Sequence, residues 1–466
     1  MYGNTLHCKV HAWSFCILIH GSMLAALTCG CMSERRVDVG SRSPTDSIGA
    51  NHEGWKTVLG EDWVRDLETR SEALGNVLDH VTISPESIQS HAELTKLGQG
   101  YDSMTGGTRP ERCVRGAYWA GGRTSSTFRF DYANSQSDFL RQTKGSASAG
   151  VNLGLIGGKG TIEFQTKVEE TSLSTALTFS YVIDQGRVVL WDREVTPVAR
   201  QVAKLGAYEI RKVCGDSFLY AADLGAKLYL SIVFRFRDSE TYRKFKTKIQ
   251  ISALFGAIKK TKTFTEESRD FHDSAYVQIA AHQQGGAPEV LQHILGGSGV
   301  DSTQCKLSNI DPCMALFNDL LAYVKGQGGF IDQIKGRIAN GTLQGLAVTS
   351  TEPSSYLSGA HFLLVSEEVN SWTDSEATMA RVEALFEKLR ELRNKEARAE
   401  SLLASDQPED RKSVWRPIMD VIKRNISRYR DALNTCQSSV LAKTCEKSVD
   451  QADRAQEPIA TSALNY

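Results

Sequence analysis

The chain has 466 residues, is 41% hydrophobic and carries a formal net charge of -1. A chain of this length exceeds one ordinary small domain and holds enough apolar side chains to bury real cores. The even charge balance excludes the basic excess of a nucleic-acid binder and gives no whole-protein attraction to an anionic membrane.

The N-terminus differs from the rest. After Lys9 an apolar stretch runs from Trp13 to Leu27 and gives way to Thr28-Cys29-Gly30-Cys31, then to polar Ser33, Glu34, Arg35 and Arg36. The stretch is shorter than the roughly 20 residues a spanning helix needs, and its order is that of an export signal. Residues 1–31 therefore read as such a signal. Gly30-Cys31 resembles the end of a bacterial lipoprotein processing site, although Thr28 and Cys29 depart from its usual pattern, so Cys31 is the candidate lipidation residue. The expected location is outside the cytoplasm, secreted or held at the outer membrane or cell surface as a lipoprotein. Residues 32–60 are polar and rich in Ser, Gly and Arg, the composition of a flexible tether.

A helix is expected from about Asp62 to His80, where Trp63, Leu67, Leu74 and Leu78 recur at helical spacing. Strands are expected over Cys113 to Tyr132, Leu173 to Trp191, Leu228 to Arg237 and Tyr276 to Ala281, which are rich in β-branched and aromatic residues. Long insertions separate these strands, and segments of that size need structure of their own. Asp311-Pro312 opens a helix striped by Met314, Leu316, Phe317, Leu320 and Leu321. Leu346 to Thr349 and His361 to Val365 read as short returning strands. Two long amphipathic helices follow, one carrying Met379, Val382, Leu385, Leu389 and Leu392, the other Ile418, Val421, Ile422, Ile426, Tyr429 and Leu433.

Six of the ten cysteines lie beyond the signal, an even number that permits three disulfides in an oxidising compartment. Cys305 lies near Cys313 and Cys436 near Cys445, which leaves Cys113 for Cys214; other connectivities stay open. No CxxC or Cys/His spacing points to zinc, and His272 and His282 lack metal-ligand spacing.

Three short elements carry a resemblance. Leu97-Gly98-Gln99-Gly100-Tyr101-Asp102 comes first, and Cys214-Gly215-Asp216-Ser217-Phe218 follows far downstream, six residues before Gly225-Ala226. Gln284-Gly285-Gly286 then closes a strand. In order and spacing these resemble the entry segment, signature motif and bend glycines of the membrane attack complex/perforin (MACPF) and cholesterol-dependent cytolysin superfamily. Gly215, Phe218 and Gly225 match the signature, while Asp216 and Ser217 replace Thr-His and Ala226 replaces the second glycine. The resemblance covers about residues 95–365. It implies an α+β fold: a bent antiparallel β-sheet flanked by two insertions, here with a helical C-terminal part over 366–466. Residues 61–365 would form the MACPF-like domain.

The resemblance further implies that both insertions pack as helices on the soluble monomer and rebuild as β-hairpins in a membrane-bound ring or arc of copies. A spanning β-strand needs about 9–11 residues of alternating character. In the first insertion Ala147, Ala149, Val151, Leu153 and Leu155 alternate with small polar residues and glycines. After the Gly157-Gly158-Lys159-Gly160 turn, Ile162 and Phe164 alternate with polar neighbours. In the second, Phe245, Ile249, Ile251, Ala253 and Phe255 oppose Lys244, Lys246, Lys248, Gln250 and Ser252. Its return arm departs from the pattern, because Glu266, Glu267, Arg269 and Asp270 put charge on both faces.

Catalytic patterns fail. Gly215-Asp216-Ser217-Phe218 also reads as the nucleophile block of a GDSL-type esterase, but it sits mid-chain with no Asp-x-x-His after it. Gly154 to Lys159 lacks the first glycine and the Ser/Thr of a phosphate loop. The expected protein is a pore-former or a non-lytic descendant of one, with no catalytic residues, metal, cofactor or small-molecule substrate. Its expected partners are a lipid membrane and further copies of itself.

Overall fold

The computed structural model describes residues 61–72, 77–103, 105–132, 164, 168, 173–249, 261–272, 274–296, 304–334, 343–356, 373–404, 408–439 and 442–465. Cys31, the tether, Ala147 through Leu155, Ile162, Ile251, Ala253, Phe255 and the strand expected at His361 to Val365 lie outside them.

Helix α1 (Glu61–Glu72) buries Val64 and Leu67, and Trp63 meets Phe179 edge-on at 6.1 Å. The helix expected to reach His80 stops at Glu72. Strand β1 (Val77–Ile83) follows, with Leu78 opposite Gly122. Val77, Val81, Thr82 and Ile83 are β-branched, and a partner strand outweighs their loose helical spacing.

Strands β2 (Gln99–Asp102) and β3 (Gly107–Arg112) form a short hairpin, followed by β4 (Val114–Arg123) and β5 (Ser125–Tyr132). Strand β6 (Ser174–Val195) leads through helices α2 (Pro197–Ala203) and α3 (Ala207–Cys214) into β7 (Ser217–Phe236). Helices α4 (Ser239–Lys248) and α5 (Thr261–Glu267) stand between β7 and β8 (Ala275–Gln284). Helix α6 (Pro288–Ile294), β9 (Gln304–Lys306), α7 (Asp311–Lys325), α8 (Phe330–Ile334) and β10 (Ala347–Ser355) complete this part. Among the described residues these ten strands belong to one sheet, and the ladders between them are antiparallel.

At 22 and 20 residues, β6 and β7 are nearly four times the commonest strand length of about 5–6 residues, because each serves two halves of the sheet. In one half β6 pairs with β5 and β7 with β8; in the other β6 pairs with β4 and β7 with β10. The sheet bends where partners change: the β6–β7 register shifts between Asp184 and Gly186, and Gly225 stands opposite both Asp184 and Ala347. Beyond the bend, alternate residues Leu177, Phe179, Tyr181 and Ile183 on β6 and Leu228, Leu230, Ile232 and Phe234 on β7 enter the main core. Met314, Phe317, Leu320, Phe330 and Ile331 of α7 and α8 join the same core, each burial worth roughly 1.5–3 kcal/mol.

Three helices follow: α9 (Thr373–Ala404), α10 (Glu409–Ser438) and α11 (Ala442–Ala455). Val382, Leu385, Leu392, Ile418, Ile422, Ile426, Tyr429 and Leu433 form their own apolar cluster. Disulfides join Cys113 to Cys214, Cys305 to Cys313 and Cys436 to Cys445, the last tying α10 to α11. Such covalent ties belong to an oxidising compartment.

Candidate functional site

The bend is built from backbone packed on backbone. A Cβ on Gly225 would stand 1.9 Å from the Ile183 carbonyl oxygen. Gly285 follows β8 with φ +74°, and a Cβ there would lie 2.9 Å from the Gly225 oxygen and 3.2 Å from the Ala347 nitrogen. Neither place accepts a side chain without moving a neighbouring strand. Gly286 donates its N–H to the Gly345 carbonyl at 2.6 Å. Neutral side chains hold the turn: the Gln283 amide donates to the Gly285 carbonyl at 2.8 Å, and Gln333 Oε1 accepts the Ala287 N–H at 2.8 Å. Tyr323 donates to Gln283 at 2.9 Å. Gly122 and Gly186 extend the same line onto β4 and β6, with a Cβ on Gly122 only 3.8 Å from the Gly186 Cα. Those two were not singled out in the sequence; glycines inside strand-like runs were the available signal.

The described part of the second insertion leaves β7 next to this bent sheet and is helical. Asp238 caps α4 by accepting the Thr241 N–H at 2.7 Å. Phe245, one of the residues assigned to a lipid face, is buried, with ring centroids 4.8 Å from Phe236 and 5.2 Å from Phe271. Ile249 is buried too, and Phe264 of α5 packs on Phe234 at 5.9 Å. Lys244 pairs with Glu240 at 2.7 Å, and Lys248 pairs with Asp270. Residues 245 and 249 share one face in a helix, where four residues make about one turn, and also in a strand, where an even separation keeps the side. The same two side chains can therefore serve a buried helix or a one-sided strand.

Phe164 and Val168 repeat that spacing in the first insertion. Both are helical and buried, against Ala176, Tyr229, Val233 and Ala280 on the other face of the sheet. Phe164 lies 5.6 Å from Tyr229 and 6.0 Å from His282, centroid to centroid. Burial pushes the His282 imidazole down to about 4. Around it this face is polar yet covered. Thr178 and Ser231 share a hydrogen bond of 2.9 Å, Arg235 donates to Gln278 at 2.8 Å, and Lys227 donates to the Thr349 carbonyl at 2.9 Å.

At the opposite end of β7 the two motif stretches meet. Tyr101 bridges Gly215, Gly98 donates to the Leu219 carbonyl at 2.8 Å, and Asp216 donates its N–H to the Tyr101 carbonyl at 3.1 Å. Gly215 has φ +72°, and a Cβ there would stand 2.1 Å from the Tyr101 oxygen. Beside the crossing lies a buried ion network that motif reading missed, since nothing in the sequence ties Arg109 or Arg211 to Asp102. Asp102 accepts from Arg109 at 2.5 Å and from Arg211 at 3.2 Å. Burial would raise its pKa, but the two guanidinium groups outweigh burial and hold it below the usual carboxylate range. Asp216 accepts from the Ser103 N–H at 3.0 Å and its hydroxyl at 2.8 Å. Arg109 also donates to the Ser438 carbonyl of α10 at 2.7 Å. The Tyr356 ring packs at a tilt 5.4 Å from Phe218, and its hydroxyl donates to the Cys214 carbonyl at 3.0 Å.

Ser217 is buried in β7 opposite Ser355, and the adjacent Asp216 carboxylate is taken up by Ser103 and Arg211. That setting gives an esterase nucleophile no access to substrate. Among the described residues no group of three His, Cys, Asp or Glu side chains stands close enough to hold a metal ion, and no helix is long and apolar enough to cross a membrane.

No protein-family model matches the chain, and no curated protein matches it. Solved structures that are similar include GNIP1Aa from Chromobacterium piscinae, 13% identical at TM-score 0.30, covering 63% of this chain and 56% of that one. Another is stonustoxin, 13% identical at TM-score 0.26, covering 80% and 48%. A third, from Bacteroides thetaiotaomicron, is described as a cell invasion protein with a MAC/Perforin domain; it is 13% identical at TM-score 0.23, covering 59% and 58%. The chain thus spans about half the length of each of these proteins.

Proposed function

We propose that this chain is a membrane-inserting, pore-forming protein that oligomerises as a ring or arc through two amphipathic β-hairpins, residues 144–170 and 244–272. The observation that carries the assignment is the storage of Phe245 in α4 and of Ile249 at its C-cap, both buried, beside a sheet whose bend is packed on Gly225 and Gly285. Apolar side chains destined for lipid must be hidden while the protein is in water. Phe164 and Val168 are hidden in the same way on the other face. In this proposal residues 1–31 direct export, Cys31 carries the lipid, 32–60 form the tether, 61–365 form the membrane-active domain and 366–466 form its helical companion.

A non-lytic surface protein of the same fold, serving adhesion or assembly, is the second assignment. It is favoured by Glu266, Glu267, Arg269 and Asp270 on the return arm of the second insertion, since charge on a lipid-facing position opposes insertion. Dye release from vesicles of zwitterionic or anionic phospholipid separates the two. In a hairpin, Val151, Leu153 and Phe255 face lipid while Asn152 and Gln250 face water. Leu153→Lys then costs about 2–4 kcal/mol at mid-bilayer and suppresses release, whereas Asn152→Lys is tolerated. If the wild-type chain releases no dye, or the two variants behave alike, the pore-forming assignment is wrong.

A further inference from the structure

One buried guanidinium joins three parts of the molecule. Arg398 of α9 is 7% exposed. Its Nη1 donates to the Phe236 carbonyl at 3.0 Å and its Nη2 to the Arg237 carbonyl at 2.8 Å. Those carbonyls end β7, immediately before Asp238 caps α4, so they form the root from which the second insertion departs. The Arg398 Nε donates to the Leu464 carbonyl at 3.0 Å. The tail that brings Leu464 there is strapped along α10. Glu457 donates its N–H to Asn425 at 3.0 Å, and the Asn425 amide donates to the Glu457 carbonyl at 2.9 Å. The Glu457 carboxylate accepts from Arg424 and Arg428 at 2.6 and 2.7 Å, and these bonds hold it down at about 2. Farther on, the Trp415 indole donates to the Ala463 carbonyl at 2.9 Å. The anchors along 457–464 are these hydrogen bonds and ion pairs together with the packing of Ile459, Ala463 and Leu464 on the helical cluster, all of which reverse without breaking a covalent bond.

We propose that the C-terminal tail, residues 456–465, and Arg398 form an autoinhibitory clasp that keeps the root of the second insertion helical until the tail is displaced. The physical reason lies in the carbonyls themselves. To extend β7 into a longer strand, the backbone after Phe236 must change its hydrogen-bond partners and direction. While a buried guanidinium holds the Phe236 and Arg237 carbonyls, that exchange takes two acceptors from a desolvated charge, which is costly. Withdrawing the tail exposes Arg398 to water and removes the obstacle. The inhibitory part of the proposal rests on the pore-forming assignment; the restraint on the root does not.

Two full-length variants and a shortened chain test it: Arg398→Gln, Trp415→Phe, and a chain stopping after Ala460. Hydrogen–deuterium exchange over residues 237–249 is expected to speed up by about tenfold or more in Arg398→Gln and in the shortened chain, with α7 still protected. Trp415→Phe keeps the packing, loses one anchor and falls between them and wild type. If Arg398→Gln does not fold, the shortened chain, which keeps Arg398, decides alone. Vesicle leakage is expected to begin sooner in the same order. Unchanged exchange over 237–249 overturns the clasp, as does faster exchange spread evenly over the whole sheet. Faster local exchange without faster leakage, in a protein whose wild type leaks, overturns the inhibition. A wild type that never leaks sinks the pore-forming assignment instead, and local exchange still decides whether the tail restrains the root.

Discussion

One end of the long strands and the bend at their middle are held by different chemistry. At the Gly215 end, β2 crosses β7 under the Cys113–Cys214 disulfide, Asp102 sits between Arg109 and Arg211, and Arg109 reaches across to α10. At the Gly285 bend the turn is held by the neutral amides of Gln283 and Gln333 and the Tyr323 hydroxyl, and the helices of the neighbouring insertions pack through aromatic rings, with Arg398 bound to backbone carbonyls at the root of the second. Opening a buried ion pair is costly, because each partner loses a large part of its compensation for leaving water. Neutral amides and packed rings lose far less on exchange. The stapled end therefore suits a fixed platform, and the glycine bend suits a part that changes shape.

The sharpest way to break this contrast is at Asp102. Asp102→Asn leaves Arg109 and Arg211 buried without their shared carboxylate and is expected to lower unfolding stability by about 3–5 kcal/mol in urea titration. A loss below about 1 kcal/mol means that end is not ionically stapled.

Near the bend the expected effect is smaller and depends on pH. His282 is held neutral by burial, with its pKa lowered from 6.5 to about 4. A group with a depressed folded pKa that is neutral when folded takes up its proton first in the unfolded chain. The stabilisation it allows is complete above about pH 6.5 and is lost as pH falls toward 4, a decline of roughly 2–3 kcal/mol. Thermal melts across that window should show the decline, and His282→Phe, which keeps a ring beside Phe164 and Tyr229, should flatten it. A slope that survives the substitution assigns it to other groups.

The mildest intervention tests the bend itself. Gly285→Ala puts a side chain at φ +74° and 2.9 Å from the Gly225 oxygen, and is expected to cost about 1–2 kcal/mol while slowing vesicle leakage more than it lowers stability. Equal effects on both would make Gly285 a turn residue with no part in opening.

Much of this architecture was legible in the chain. The helix at Asp311-Pro312 announced itself by proline at its start and an apolar stripe, and the strands by β-branched and aromatic runs, because these are local properties of a segment. The family resemblance also marked Gly98 to Asp102, Gly215, Gly225 and Gly285 as motif stretches. It did not foresee that β1 would replace the end of the first helix, since pairing with β4 lies 40 or so residues away from any local signal. Nor did it show α11 as a separate helix, or Gly122 and Gly186 in line with Gly225.

By itself the sequence determined which segments carry both a helical and a strand-like apolar face, because Phe245 and Ile249, like Phe164 and Val168, lie four residues apart and satisfy both periods. Only the tertiary structure decided which period is used in the folded chain. Phe236 and Phe271 stand where a helix can insert Phe245 between them, and a side chain in water takes the form that buries it. Only the tertiary structure, too, brought Asp102 to Arg109 and Arg211, and Arg398 to Phe236 and Leu464. Charges and carbonyls of this kind have no periodicity to betray them; their partners are chosen by where the chain returns, and burial then makes each choice costly to undo.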